Sequence, residues 1–203
     1  MTLYAVTDAA WTGDQTLIEQ VREALEGGIS FLQLREKKLS EEDFLKEAEE
    51  IKKLADQYKV PFVINDNIEI ARKVNADGVH VGQDDMPVEE VRKLLGENKI
   101  IGVSAHNVEE AMKAEEGGAD YLGVGAVCAT STKSEATVVT MEEMSKICQS
   151  VSIPVVAIGG ISIDNALELK GTGVDGICVI SAIFGSENPS EATKKLLDLY
   201  QNK

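Results

Sequence analysis

Two short segments, Ala157-Ile158-Gly159-Gly160-Ile161-Ser162 and Ile180-Ser181-Ala182-Ile183, carry residues suited to holding an anion. Paired glycines admit an anion close to the backbone, and a helix starting next would aim its amino end at it. A tight turn is the plain alternative for Gly159-Gly160. The segment Gln33-Leu34-Arg35-Glu36-Lys37-Lys38 sets Gln33, Arg35 and Lys37 where they could bind a second anion, and it suits a solvated charge run before a helix equally well. Asn65-Asp66-Asn67 and Gln83-Asp84-Asp85 supply carboxylates with amides beside them, the oxygen-rich surroundings in which Mg2+ bridges substrate phosphates. Each acid alone could instead cap a helix, as could Asn67.

The stretch from Ala126 to Ala136 is rich in hydroxyls around one lysine. Thr130, Ser131 and Thr132 could donate to phosphate oxygens and Lys133 could add a point charge, against the alternative of an ordinary solvent loop. His80 and His106 titrate near neutrality in principle. His80 sits inside an apolar run and reads as a satisfied core residue, and His106 reads as lying beside the site. Cys128, Cys148 and Cys178 have no metal or disulfide spacing and read as buried structural thiols in a reducing compartment.

These residues need a scaffold that brings distant segments together. Eight apolar runs of strand length recur: Leu3–Thr7, Phe31–Arg35, Pro61–Asn65, Gly78–Val81, Ile100–Ser104, Tyr121–Gly125, Pro154–Ile158 and Gly176–Ile180. Helically patterned stretches lie between them, at 15–26, 40–58, 87–95, 108–116 and 141–150. The even-numbered runs each follow a small turn (Gly27-Gly28-Ile29-Ser30, Asn75-Ala76-Asp77, Gly117-Gly118-Ala119-Asp120, Gly173-Val174-Asp175), whereas the odd ones end in polar or glycine clusters. A two-strand unit repeated four times predicts a closed (β/α)8 TIM barrel over residues 1–203, a single-domain α/β protein, in preference to an open doubly wound sheet. In such barrels the site lies at the carboxyl ends of the strands, with phosphate commonly held after the seventh and eighth. That is where Gly160 and Ser181 fall.

The chain has 203 residues, 43% of them hydrophobic, enough for one substantial core. Its 35 acidic and 20 basic side chains give a formal charge of −15, which argues against nucleic acid and anionic membranes as partners. A phosphate ligand must therefore be met by local cations, a metal or aligned N–H groups. The amino terminus has no basic start followed by an apolar stretch, and no long apolar run follows, so a cytoplasmic protein is expected.

Seven segments in order, Gln33 to Lys37, Asn65-Asp66, His80 to Asp85, Gly102 to His106, Thr130 to Lys133, Gly159 to Ile161 and Ile180 to Ile183, together resemble the thiamine-phosphate synthase (thiamine-phosphate pyrophosphorylase) family over nearly the whole chain. The resemblance implies a transferase that condenses 4-amino-2-methyl-5-hydroxymethylpyrimidine diphosphate with hydroxyethyl-methylthiazole phosphate, giving thiamine monophosphate and pyrophosphate. Carried over by the resemblance, Gln33, Leu34, Arg35, Glu36, Lys37, Asn65, Ser104 and Lys133 bind the pyrimidine diphosphate. Asp66 and Asp85 hold Mg2+. Thr130, Ser131, Thr132, Gly160, Ile180 and Ser181 bind the thiazole phosphate. The implied mechanism is dissociative, with Arg35, Lys37, Ser104 and Lys133 as the catalytic set. Two phosphorylated small molecules are the implied partners, and a homo-oligomer is compatible with the sequence.

One departure stands out. The family commonly has prolines where this chain has Ala126 and Ala129, which predicts a more mobile loop. A thiazole tautomerase on the same barrel is the nearest rival, but it would need neither Mg2+ ligands nor Arg35 and Lys37. A non-catalytic phosphate-binding barrel is the rival of another class.

Overall fold

The computed structural model describes residues 1–128 and 138–201. Eight parallel strands close into a barrel in chain order: β1 (Leu3–Val6), β2 (Phe31–Leu34), β3 (Phe62–Asn65), β4 (Gly78–Val81), β5 (Ile100–Ala105), β6 (Tyr121–Gly125), β7 (Val155–Ile158) and β8 (Gly176–Val179), with β8 paired to β1. All eight expected runs form strands, within two residues at either end. Around them lie α1 (Leu17–Gly27), α2 (Glu41–Tyr58), α3 (Ile68–Lys73), α4 (Val88–Leu95), α5 (Val108–Glu116), α6 (Met141–Ser150), α7 (Ser181–Phe184) and α8 (Pro189–Gln201). Ser40 and Pro87, expected as first helical residues, are N-caps instead, and the Ser40 hydroxyl accepts the Asp43 N–H.

The fourfold repeat has a physical basis. The residue before each even strand, Ser30, Asp77, Asp120 or Asp175, accepts with its side chain the first or second N–H of the preceding odd strand, at Leu3 (3.0 Å), Phe62 (2.9 Å), Ile101 (2.7 Å) and Val155 (2.8 Å). Its own N–H donates to that same residue's carbonyl. Each anchor follows a left-handed residue, Gly28, Asn75, Gly118 or Gly173, which turns the chain sharply out of the preceding helix or helical turn. Thus the small turns seen in the sequence tie the barrel strands at their amino ends, away from the site.

Alternation along the strands sorts side chains into two layers. Leu3, Ala5, Leu32 and Leu34 belong to the core between barrel and helices, whereas Tyr4, Val6, Phe31, Val63, Tyr121, Val156 and Cys178 fill the barrel interior. Three interior aromatics meet edge to face: Tyr4 and Phe31 with centroids 4.8 Å apart, Phe31 and Tyr121 at 5.4 Å, and Tyr4 and Tyr121 at 5.9 Å.

The segment after β7 corrects one expectation. No helix follows Gly159-Gly160 directly. Asn165 folds its amide back, accepting from Ser162 N (2.8 Å) and donating to Gly160 O (2.9 Å), and only a short 3-10 turn, Ala166–Leu169, comes after. Beyond β8 the helix does start at once with α7.

Candidate active site

A cavity of about 450 Å3 opens at the carboxyl ends of the strands. Its floor is a buried polar chain that crosses the barrel. Gln33 Nε2 donates to the Tyr4 hydroxyl, which shares a 2.9 Å hydrogen bond with the Tyr121 hydroxyl. Tyr121 in turn bonds His80 Nδ1 at 2.9 Å, and His80 Nε2 bonds Ser104 Oγ at 3.0 Å. Burial lowers the His80 pKa to about 4, so its ring is neutral at pH 7. Burial likewise raises both tyrosines above their ordinary value, which keeps the hydroxyls protonated. His80 is therefore the satisfied core residue that the sequence suggested. His106 lines the cavity, with Nδ1 held 2.8 Å from Glu110 Oε2.

One wall carries the charges. Arg35 Nη1 is 3.9 Å from Asp8 Oδ2, and Lys37 Nζ contacts Asp66 Oδ2. Asn65 Nδ2 donates to Asp66 Oδ1 at 2.7 Å. Burial raises the Asp66 carboxyl above the usual carboxylate range; Lys37 pulls it down, and the neighbouring Asp85 carboxylate pushes it up again. Asp85 is held by the Gly82 N–H, which donates to Oδ2 at 2.7 Å. Neither acid caps a helix: Asn67 takes that role for α3, and α4 starts without a side-chain cap. Two facing carboxylates released from capping fit a hard divalent cation. Among the described residues no group of three or more His, Cys, Asp or Glu is placed to hold a metal alone. Mg2+ needs only one or two carboxylates when phosphates and water complete its shell.

The opposite wall is backbone. Gly159 and Gly160 both take positive φ, +99° and +67°. A side chain on Gly159 would run into Ala126, so this close approach requires glycine. Among the described residues the N–H groups of Gly160 and Ile161 have no partner, nor do those of Ser181 and Ala182 at the start of α7, where the Ile183 N–H already donates to Ile180 O at 3.1 Å. These donors converge without a charged side chain.

Of the residues singled out in the sequence, Gln33, Arg35, Lys37, Asn65, Asp66, Asp85, Ser104, Gly160, Ile180 and Ser181 all line the cavity. Leu34 and Glu36 do not. Leu34 is fully buried toward the helices, and Glu36 Oε1 accepts the N–H groups of Lys37, Lys38 and Leu39. Thr130, Ser131, Thr132 and Lys133 lie outside the described residues, as does Ala129. The described start of that loop is tied down: Ala126 is buried, Val127 N donates to Ile158 O and Cys128 N to Gly159 O, both at 3.0 Å. Of the three thiols only Cys178 is buried; Cys128, in the loop after β6, and Cys148, on α6, pack against the core but stay partly exposed. Sequence reasoning passed over Tyr4 and Tyr121. The available signal was Gly102 and Gly123 at interior strand positions, since glycine inside a strand marks close approach by another group.

The model of the family described as thiamine monophosphate synthase matches residues 3–183. A thiamine-phosphate synthase of Ruminiclostridium cellulolyticum is 50% identical over 202 residues, covering 100% of this chain and 96% of the relative. One from Methanobrevibacter smithii is 48% identical, covering 100% and 97%. The solved thiamine phosphate pyrophosphorylase from Pyrococcus furiosus superposes with a TM-score of 0.91 at 42% identity, over 98% of this chain and 95% of that one. With site and scaffold agreeing over this length, the chain is an enzyme that belongs to the thiamine monophosphate synthase family.

Proposed function

We propose that this enzyme joins the hydroxymethylpyrimidine diphosphate to the thiazole phosphate, releasing pyrophosphate and forming thiamine monophosphate. The observation that carries the reading is the division of one cavity into a wall of charged side chains and a wall of backbone N–H groups unpartnered among the described residues. Arg35, Lys37, Asp66 and Asp85 suit a diphosphate that arrives with a cation, and the Gly160 and Ser181 backbone suits a single phosphate. Mg2+ held by Asp66 and Asp85 would neutralise charge on the leaving diphosphate. Lys37 and Arg35 add fixed positive charge on the same side, and Lys133, outside the described residues, belongs to this set by family resemblance.

The residues then need only bind and orient. Gln33 and Ser104 stand on the floor where the pyrimidine ring would rest, and Asn65 fixes Asp66. The Gly160 and Ser181 donors anchor the second substrate so that its ring nitrogen faces the pyrimidine methylene. Loss of pyrophosphate before attack suits a site whose described residues include no activated nucleophile: Ser104 accepts from or donates to a neutral histidine, and burial raises the Cys178 thiol. No helix of the described residues is long and apolar enough to cross a membrane.

The test is incubation of purified protein with Mg2+ and both substrates. Pyrophosphate and thiamine monophosphate should appear in equal amounts. No product overturns the reading, and isomerisation of the thiazole phosphate alone would assign a tautomerase instead.

A further inference from the structure

We propose that Gln33, Tyr4, Tyr121 and His80 form a one-way hydrogen-bond relay that presents the Ser104 hydroxyl as a donor to the substrate's heteroaromatic ring. Tyr4, Tyr121 and His80 are then positioning residues for the reaction proposed above, and the inference rests on that reading for the identity of the ring. An amide nitrogen cannot accept, so the bond from Gln33 Nε2 fills a lone pair of Tyr4. Tyr4 has one proton, and its remaining partner is Tyr121 at 2.9 Å. Tyr121 must spend its own proton on His80 Nδ1, also at 2.9 Å. A neutral ring that accepts at Nδ1 carries its proton on Nε2, and that proton goes to Ser104 Oγ at 3.0 Å. Ser104 is left with a proton to give. Among the described residues its hydroxyl has no other partner, and it faces the cavity.

Polarity follows from which end of the Gln33 amide faces Tyr4, here Nε2. If the Gln33 amide were turned over, every bond would reverse, His80 would be protonated on Nδ1, and Ser104 would offer only lone pairs. A ring with an unprotonated acceptor nitrogen matches the first arrangement and is rejected by the second. The barrel is cut to fit these rings. A Cβ on Gly102 would overlap the Tyr121 ring, and one on Gly123 would come within 3.0 Å of His80 Cε1. Phe31 packs on both tyrosines and fixes their planes.

Long-range proton–nitrogen correlation NMR on histidine-labelled full-length protein without substrate reads the tautomer directly. The chain has 2 histidines, so a His106→Gln sample assigns the signals. His80 is expected with Nδ1 bare and Nε2 protonated; the Nδ1–H form overturns the proposal. Tyr121→Phe should give a mixture of both tautomers and raise KM for the pyrimidine diphosphate roughly three- to tenfold, the loss of one oriented hydrogen bond, with thiazole-phosphate affinity unchanged. An unaltered tautomer together with an unaltered KM in that variant also overturns it. Should Tyr121→Phe fail to fold, the wild-type tautomer still decides. Absence of turnover in the wild type strikes the functional reading alone, because the tautomer is measured without substrate.

Discussion

Lys37 Nζ rests directly on Asp66 Oδ2, joining the mouths of β2 and β3 across the charged wall of the cavity. Both side chains reach solvent, so the pair adds little to stability. On the proposed reading it keeps a cation where the diphosphate would arrive. Lys37→Ala should leave the urea midpoint almost unchanged and raise KM for the pyrimidine diphosphate roughly tenfold or more, the scale of a lost charge-assisted bond. A substrate titration checks this, and an unchanged KM would remove Lys37 from the site.

Asp85→Ala should separate the two halves of the reaction. Losing several kcal/mol of charge stabilisation corresponds to at least roughly a hundredfold in Mg2+-dependent turnover. Thiazole-phosphate binding, measured calorimetrically, should change little because its donors lie on the other wall. Equal losses in both measurements would contradict the division of the cavity.

The strand anchors predict stability effects far from the chemistry. Asp175 Oδ2 accepts the N–H of Val155, which is 2% exposed. Asp175→Ala orphans that donor and should cost about 1–3 kcal/mol, or a few degrees in Tm for a chain of this size at roughly 2–4 °C per kcal/mol. Asp164→Ala, in an exposed turn, should shift Tm by less than about 1 °C. Similar Tm values for the two variants would show that the anchors are dispensable.

Glu47 on α2 gives the fold a pH dependence. Burial, then Glu36 and Glu50, raise its carboxyl to about 7, and Oε2 has no partner. The folded chain holds this proton more tightly than the unfolded chain does. Its contribution is therefore complete below the ordinary value of 4.5 and is lost as pH rises through about 7. Glu47→Gln should remove that decline, so that urea midpoints at about pH 5 and about pH 8 differ less than in the wild type. An identical slope in both proteins would contradict the assignment.

The barrel was legible because its determinants are local. Short apolar runs, helical spacing and the Ser30, Asp77, Asp120 and Asp175 turns each announce themselves within a few residues. The charged wall was legible for a similar reason, since Arg35, Asp66 and Asp85 fall at strand ends. The buried floor was not. Tyr4 and Tyr121 look like ordinary strand aromatics, and their pairing depends on barrel closure across 117 residues of chain. The turn after β7 escaped as well, because Asn165 bonds back to Gly160 in a way that helical periodicity does not encode. Leu34 and Glu36 fall outside the cavity lining because strand alternation turns Leu34 toward the helices and Glu36 folds onto the N–H groups of the loop that follows.

On the proposed reading, one cavity joins two phosphorylated substrates with help from a divalent cation between Asp66 and Asp85. The most direct test is pyrophosphate release by the full chain with both substrates, first in Mg2+, then in excess EDTA, then with Mg2+ restored. Release in Mg2+, its loss in EDTA and its recovery on restoring Mg2+ are the expected result. Undiminished release in EDTA would contradict the account.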